Sequence, residues 1–259
     1  MARAVGRNLR ALPAYERSAE IYDVIYSWKD YSSEAKRIRQ LAVRYGPPDA
    51  RTLLDVACGT GNHLRHLVRW YRATGVDRNP EMLRRARRAV PGARFVQGSM
   101  QSFRLRERFD VLTCLFSAIG YVRSKADLHR TIRNFARHLK PGGVMMVEPW
   151  LTPAGYSAGS FHLGTFGTPE FPIARMNGSE RRADRSIMEM HHLVPAGRRV
   201  RHWVERHEMM LFDVPTQLAA YRAAGLRVRR IRSGFHPDRG LYLAVRPRGL
   251  AEGGSRPNR

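Results

Sequence analysis

Apolar and polar positions alternate along this chain in two distinct rhythms. From residue 31 to residue 150 short apolar runs are separated by helix-period stretches. A helix is predicted over Tyr31–Tyr45, with Ala35, Ile38, Leu41 and Ala42 on one face and Gly46-Pro47-Pro48 ending it. Thr52–Ala57 has the unbroken apolar character of a strand buried in a parallel sheet. A helix from Asn62 to Tyr71 follows, then a strand over Ala73–Val76 that ends in Asp77. Pro80 opens the next helix and Glu81–Ala89 continues it with arginines on the outer face. Arg94–Gln97 and Asp110–Phe116 read as strands. Lys125–Leu139 reads as a helix (Leu128, Ile132, Phe135, Ala136, Leu139 inward) stopped by Pro141-Gly142-Gly143, and Val144–Val147 as a fifth strand. Five strand–helix units in succession imply right-handed crossovers and a parallel sheet.

After Trp150 the rhythm changes. Residues 151–185 are rich in Gly, Ser and Pro. Ser186–Val194 and Arg199–Phe212 alternate without helical period around Pro195-Ala196-Gly197, as antiparallel strands do. Thr216–Ala224 is a helix, and Leu226–Ile231 and Gly240–Val245 are strands that complete the main sheet. The expected architecture is α/β: a doubly wound, seven-stranded, mostly parallel Rossmann-like sheet with a small antiparallel β insertion. The expected divisions are a core at 13–150, an insertion at 151–212 serving as lid or dimer contact, the end of the core sheet at 213–246, and flexible tails at 1–12 and 247–259.

Composition adds constraints. With 259 residues, 43% of them hydrophobic, the chain can bury a substantial core. No apolar run approaches the roughly 20 residues of a membrane span, and the basic N-terminus lacks the features of a secretory signal. Only Cys58 and Cys114 are present, which fits a reducing cytoplasm and supplies no disulfide framework. The formal charge is +24, nearly all of the excess arginine, denser at Arg84–Arg88, Arg104–Arg108, Arg198–Arg206 and Arg227–Arg232. Such a field attracts polyanions and phosphorylated ligands. These basic stretches lack the interleaved aromatics on which single-stranded nucleic acid stacks, so nucleic-acid binding is not expected as the primary role.

The densest chemical signal is Leu53-Leu54-Asp55-Val56-Ala57-Cys58-Gly59-Thr60-Gly61. A strand ends, glycines make a tight turn that a ligand can approach closely, and a helix begins. Asp77 stands at the tip of the next strand, where a carboxylate can accept both hydroxyls of a ribose. Asp55, ahead of the turn, can hold a cationic amine directly or through water. With five strand units behind it, this pattern resembles the class I methyltransferases that use S-adenosyl-L-methionine (SAM), and departs from the G-x-G-x-x-G of nicotinamide sites. The resemblance implies SAM as cofactor, contacted by Asp55, Ala57, Gly59, Gly61 and Asp77. The third strand departs from that family: it runs into Gly98-Ser99-Met100 instead of an acidic residue. Ser99 is then expected to accept the adenine amino group, with the Met100 N–H reaching the ring and Met82 packing on it.

Further segments carry a narrower resemblance. They are Tyr15…Ala19-Glu20-Ile21-Tyr22-Asp23, Lys29-Asp30-Tyr31, Phe116-Ser117-Ala118-Ile119-Gly120-Tyr121, Val147-Glu148-Pro149-Trp150 and Arg239-Gly240-Leu241-Tyr242. In this order they resemble the N,N-dimethyltransferases of nucleotide-linked amino sugars in deoxysugar biosynthesis, from about Tyr15 to Val245. The resemblance implies a dTDP-linked amino-sugar substrate and a homodimer. It places Tyr22 and Tyr31 near the methionine part of SAM and Tyr15 and Tyr121 at the sugar amine as catalytic residues. Glu148 and Trp150 stand at the substrate, and Arg239 on the diphosphate.

The histidines have no metal-ligand spacing, so no metal is expected, and none falls on a strand tip beside the glycine turn. Other readings stay open: an O- or N-methyltransferase of another small metabolite, a nucleic-acid methyltransferase, or a catalytically silent SAM-binding protein. The second of these lacks the Asn/Asp-Pro-Pro-Tyr/Phe motif after the fourth strand.

Overall fold

The computed structural model describes residues 11–248. In chain order the elements are β1 (Leu12–Pro13), α1 (Tyr22–Ile25), α2 (Tyr31–Tyr45), β2 (Thr52–Val56), α3 (Asn62–Leu67), β3 (Arg72–Asp77), α4 (Pro80–Ala89) and β4 (Arg94–Gln97). Then come β5 (Phe109–Cys114), α5 (Lys125–Arg137), β6 (Leu139–Val147), β7 (Phe161–Thr168), β8 (Phe171–Arg182), β9 (Arg185–Ala196), β10 (Arg199–Met210), α6 (Val214–Ala223), β11 (Arg227–Ile231) and β12 (Leu241–Val245). The described residues form two compact units, one of 31–150 with 213–248, the other of 11–30 with 151–212.

The larger unit is the doubly wound sheet, in the order β11-β12-β6-β5-β2-β3-β4. Strands β2 to β6 pair in parallel, and β12 runs antiparallel to both β6 and β11. Leu53, Leu54, Val56, Val111, Leu112, Val144 and Met146 are fully buried along its middle strands. Ala35, Ile38 and Ala42 of α2 belong to the same core. The chain leaves β2 towards β3 and β4, then returns to β5 on the other side. That reversal between β2 and β5 opens a crevice at the carboxyl ends of the strands, where open α/β sheets bind ligands.

Several element ends differ from the sequence reading for local reasons. β2 stops at Val56 because Ala57 takes φ 58°, and β5 stops at Cys114 because Phe116 and Ser117 take φ 51° and 60°. An extended strand cannot pass through the left-handed region. α3 is shorter than expected, since after Val68 the regular ladder gives way and the Leu67 carbonyl accepts both the Trp70 N–H (3.0 Å) and the Tyr71 N–H (3.1 Å). α5 ends at Arg137 because Leu139 is already paired with Phe109 of β5.

The smaller unit is a five-stranded sheet, β1-β10-β9-β8-β7, antiparallel except for β1 beside β10. β7 and β8 lie in the Gly-, Ser- and Pro-rich stretch that gave no strand signal. Their glycines serve close approach inside the hairpin. A Cβ on Gly167, at φ 89°, would stand 2.2 Å from the Phe171 carbonyl oxygen, and one on Gly164 would stand 2.8 Å from the Phe166 ring. One face of this sheet packs Ile173, Val194 and Trp203 against Ile21 and Ile25.

That packing corrects the expected domain boundary. Residues 13–30, counted with the core by sequence, group with the antiparallel sheet instead, because Leu12–Pro13 extends it and Ile21 and Ile25 cover it. Leu12 is therefore not part of a loose arm. The expectation of flexible tails falls otherwise largely on 1–10 and 249–259, outside the described residues.

Candidate cofactor and acceptor site

In the larger unit, parallel register brings the carboxyl ends of β2 to β6 to one edge: Val56 faces Val76, Asp77 faces Gln97, and Cys114 faces Val147. The turn after β2 is left-handed at Ala57, Gly59 and Gly61 (φ 58°, 55° and 81°). A Cβ on Gly59 would meet no protein atom within 4 Å, so the chain leaves room over the turn. Gly61 caps α3 and is packed on its other side. A Cβ there would lie 3.3 Å from Val90 and 3.4 Å from Ala86, so the turn packs closely against the end of α4.

The Asp77 carboxylate is oriented from two directions. It accepts the Gly59 N–H (2.9 Å) and the Asn79 N–H (2.8 Å). Asn79 in turn caps α4 by accepting from the Glu81 and Met82 N–H groups. Burial raises the pKa of Asp77 while these N–H bonds work against that rise. Met82 is buried on α4. Beyond β4, Ser99 is exposed and starts a turn, its carbonyl accepting from Ser102 and Phe103, while the Met100 carbonyl accepts from Asn134 (3.1 Å). Gly75 of β3 gives the turn space from below: a Cβ there would lie 2.7 Å from the Cys58 sulfur. Burial pushes the thiols of Cys58 and Cys114 up, so neither is a nucleophile at neutral pH.

Asp55 is 2% exposed and accepts a 2.7 Å bond from Thr113 Oγ1. Burial lifts its pKa to about 6, against the lowering effect of His63 and Thr113. The folded chain therefore holds a proton that the unfolded chain releases near 3.8, and the stability from this group is present below that pH and lost as pH rises through about 6. A cationic amine beside Asp55 favours its ionised form. SAM affinity should then rise with pH by up to about tenfold per unit below about pH 6 and level off above it. Titration calorimetry from about pH 5 to 8 checks this; a profile unchanged by Asp55→Asn would contradict it.

The sequence reading missed a neighbouring pair. His63, the second residue of α3, bonds Glu34 of α2 at 2.7 Å and meets the Tyr31 ring edge-on at 4.9 Å. Its sequence signal is a histidine two residues past Gly61 of the glycine turn.

A second group stands at the same sheet edge. β12 is antiparallel to β6, with Tyr242 opposite Val147, so the residues before β12 arrive where β6 ends. Arg239 there stacks over Trp150 (4.7 Å) and donates to Ser117 Oγ at 3.1 Å. Ser117 donates to the Pro149 carbonyl (2.7 Å), and Glu148, 1% exposed, accepts the Phe116 N–H (2.7 Å). Trp150, Glu148 and Arg239 are thus brought together, with Ser117 as the link that the sequence did not single out. Tyr121 closes the short turn Ala118–Tyr121 that follows. Tyr15 and Tyr22 lie in the smaller unit, in edge-to-face contact at 5.8 Å. Among the described residues no cluster of His, Cys, Asp and Glu is arranged to hold a metal ion, and no helix is long and apolar enough to cross a membrane.

A glycine turn at the switch point, a carboxylate at the tip of β3 for a diol, and a buried carboxylate relieved by a cationic amine all fit SAM. Fold and site together define a SAM-dependent methyltransferase. Residues 53–143 match the family model described as "Methyltransferase domain". The chain is 38% identical over 231 residues (88% of this chain, 97% of the relative) to dTDP-3-amino-3,4,6-trideoxy-alpha-D-glucopyranose N,N-dimethyltransferase of Streptomyces venezuelae. The sugar N-methyltransferase KedS8 from Streptoalloteichus sp ATCC 53650 superposes with a TM-score of 0.85 at 33% identity, covering 95% of this chain and 100% of KedS8. SAM-bound CalS10, an amino pentose methyltransferase from Micromonospora echinaspora, superposes with a TM-score of 0.80 at 31% identity, covering 87% and 96%. The chain belongs to the family of nucleotide-linked amino-sugar N,N-dimethyltransferases, enzymes that use SAM as methyl donor.

Proposed function

We propose that the acceptor is the amine of a nucleotide-linked amino sugar, most simply a dTDP-linked aminodeoxyhexose, and that it is methylated twice. The observation that carries this reading is the Arg239–Ser117–Trp150 group at the strand tips. A guanidinium held by one hydroxyl and one indole face is fixed in orientation and suited to a phosphate oxygen pair. Family membership supports the same acceptor class.

SAM supplies a methyl group on sulfonium, so the protein's part is binding, orientation and exclusion of water. The Gly59 turn and Asp77 hold the nucleoside end, and Asp55, with Tyr31 nearby through His63, holds the amino-acid end. Ser99, Met100 and Met82 line the adenine side, and Tyr22 adds to the methionine side. Arg239, Trp150 and Glu148 fix the sugar nucleotide. Tyr15 and Tyr121 orient the neutral amine, whose lone pair takes the methyl as the carbon–sulfur bond breaks. The resulting ammonium releases its proton to water before the second transfer. Tyr121→Phe should lower kcat modestly, by about threefold to tenfold, with KM for the sugar nucleotide little changed, because orientation matters most in the transition state. Steady-state kinetics checks this; a change confined to KM would contradict it.

The protein acts as a homodimer in the cytoplasm on this reading, and the open face of the antiparallel sheet is the proposed contact. Phe161 and Leu163 are 72% and 73% exposed there, beside Met176 and Leu193. An apolar patch of this kind marks an interface, and a charged cluster of Arg206 with Glu189 (3.2 Å) and Glu208 adjoins it. Leu163→Glu should shift the protein to monomer by light scattering with its melting temperature held within a few degrees. A variant of unchanged mass would remove this face from the interface.

A further inference from the structure

The smaller unit contains a fully buried carboxylate that no role above uses. Glu205 of β10 is 0% exposed. Its Oε1 accepts the N–H groups of Arg17 (2.7 Å) and Ser18 (2.8 Å), and its Oε2 accepts the N–H of Tyr15 (3.2 Å) and the hydroxyl of Ser18 (2.5 Å). His207, two residues along the same face, places its Nε2 3.8 Å from Oε2. One side chain thus gathers a stretch nearly two hundred residues away in sequence. Burial alone would raise the pKa of Glu205, but these donors outweigh it and hold the carboxyl at about 2, so it is ionised across the working range.

The gathered stretch includes a residue in an unfavourable conformation. Tyr15 sits at φ 62°, where an aromatic residue is strained and persists only when its surroundings over-determine it. Glu205 fixes its backbone. His207 fixes its ring, meeting it edge-on at 4.9 Å, as Tyr22 does at 5.8 Å. A carboxylate serving only to close the sheet edge would need to satisfy β1, yet Glu205 bonds the residues just past it.

We propose that Glu205, with His207, is a positioning residue of the methyl transfer, holding Tyr15 in its left-handed conformation and its phenol in one orientation. The inference rests on the acceptor-side role of Tyr15 given under Proposed function. It adds that this orientation is imposed from β10 of the antiparallel sheet, so the insertion contributes to the reaction as well as to assembly.

The test is a double-variant cycle on kcat, normalised to folded protein, with Tyr15→Phe, Glu205→Gln and both together. Glutamine keeps the shape of the side chain but offers one accepting oxygen and a clashing amide to the donors. The expected result is a fall in kcat of about tenfold for each single variant and no further fall in the double, because Glu205 acts through the Tyr15 hydroxyl. Faster amide exchange at Arg17 and Ser18 in Glu205→Gln should accompany it. Ser18→Ala, which removes a single bond to the carboxylate, should lower kcat in the same direction by a smaller factor and serves if Glu205→Gln does not fold. An impaired Tyr15→Phe beside unimpaired Glu205→Gln or Ser18→Ala overturns the positioning role alone, as do effects that simply multiply in the double. A silent Tyr15→Phe overturns the acceptor role of Tyr15, and the positioning role with it.

Discussion

Gly59→Val should abolish SAM binding, and Asp77→Ala should weaken it by about tenfold to a hundredfold. Gly59 is at φ 55° with open space over its Cα. Valine there meets two costs: a β-branched residue in the left-handed region is a genuine backbone outlier, and its methyls occupy the approach to the turn. Asp77 anchors the turn through the Gly59 N–H and begins α4 through the Asn79 N–H, so alanine removes the diol acceptor and loosens both. Leaving ribose hydroxyls and these N–H groups without their acceptor costs about 1–3 kcal/mol, which is about tenfold to a hundredfold in affinity. Titration calorimetry with SAM or its demethylated product reads both. Unchanged isotherms in variants that fold normally would remove the turn from the cofactor site.

Arg239→Ala should raise KM for the nucleotide-linked sugar about tenfold to a hundredfold with a much smaller effect on kcat. A charge-assisted bond from a guanidinium to a phosphate is worth about 1.5–3 kcal/mol. The diphosphate is remote from the reacting amine and is held alike in ground and transition states, so its loss falls on KM. Arg239→Lys should recover only part of the effect, since a lysine keeps the charge but loses the stacking on Trp150 and the fork geometry that meets Ser117. If Arg239→Ala is kinetically silent, and free amino sugars are methylated as well as their nucleotide conjugates, a general small-molecule acceptor replaces the sugar nucleotide.

The core was legible because it obeys short-range rules. Buried parallel strands read as apolar runs, α2 was bounded by a proline pair, and the Asp55–Gly61 turn and Asp77 are local signals at fixed spacing. What was not legible depended on backbone conformation or distant partners. No sequence rule places Phe116 and Ser117 at positive φ, which ends β5 early and turns Ser117 towards Arg239. β7 and β8 were hidden because their glycines make room for neighbouring atoms, where a composition rule expects turns. The assignment of residues 13–30 to the core failed because their partners, β10 and Glu205, lie about 190 positions further on. Thr113 beneath Asp55, and Glu34 beside His63, are likewise contacts between elements.

The identity of the acceptor is what the proposed function depends on most directly. Mass spectrometry of the products formed with SAM and a panel of dTDP-linked amino sugars, the same free amino sugars, and non-sugar amines tests it. The expected result is successive mono- and dimethylated sugar nucleotide, with the free sugars converted far more slowly. Methylation of the free amines at rates equal to their conjugates, or of none of the nucleotide-linked sugars while another metabolite is turned over, would contradict it.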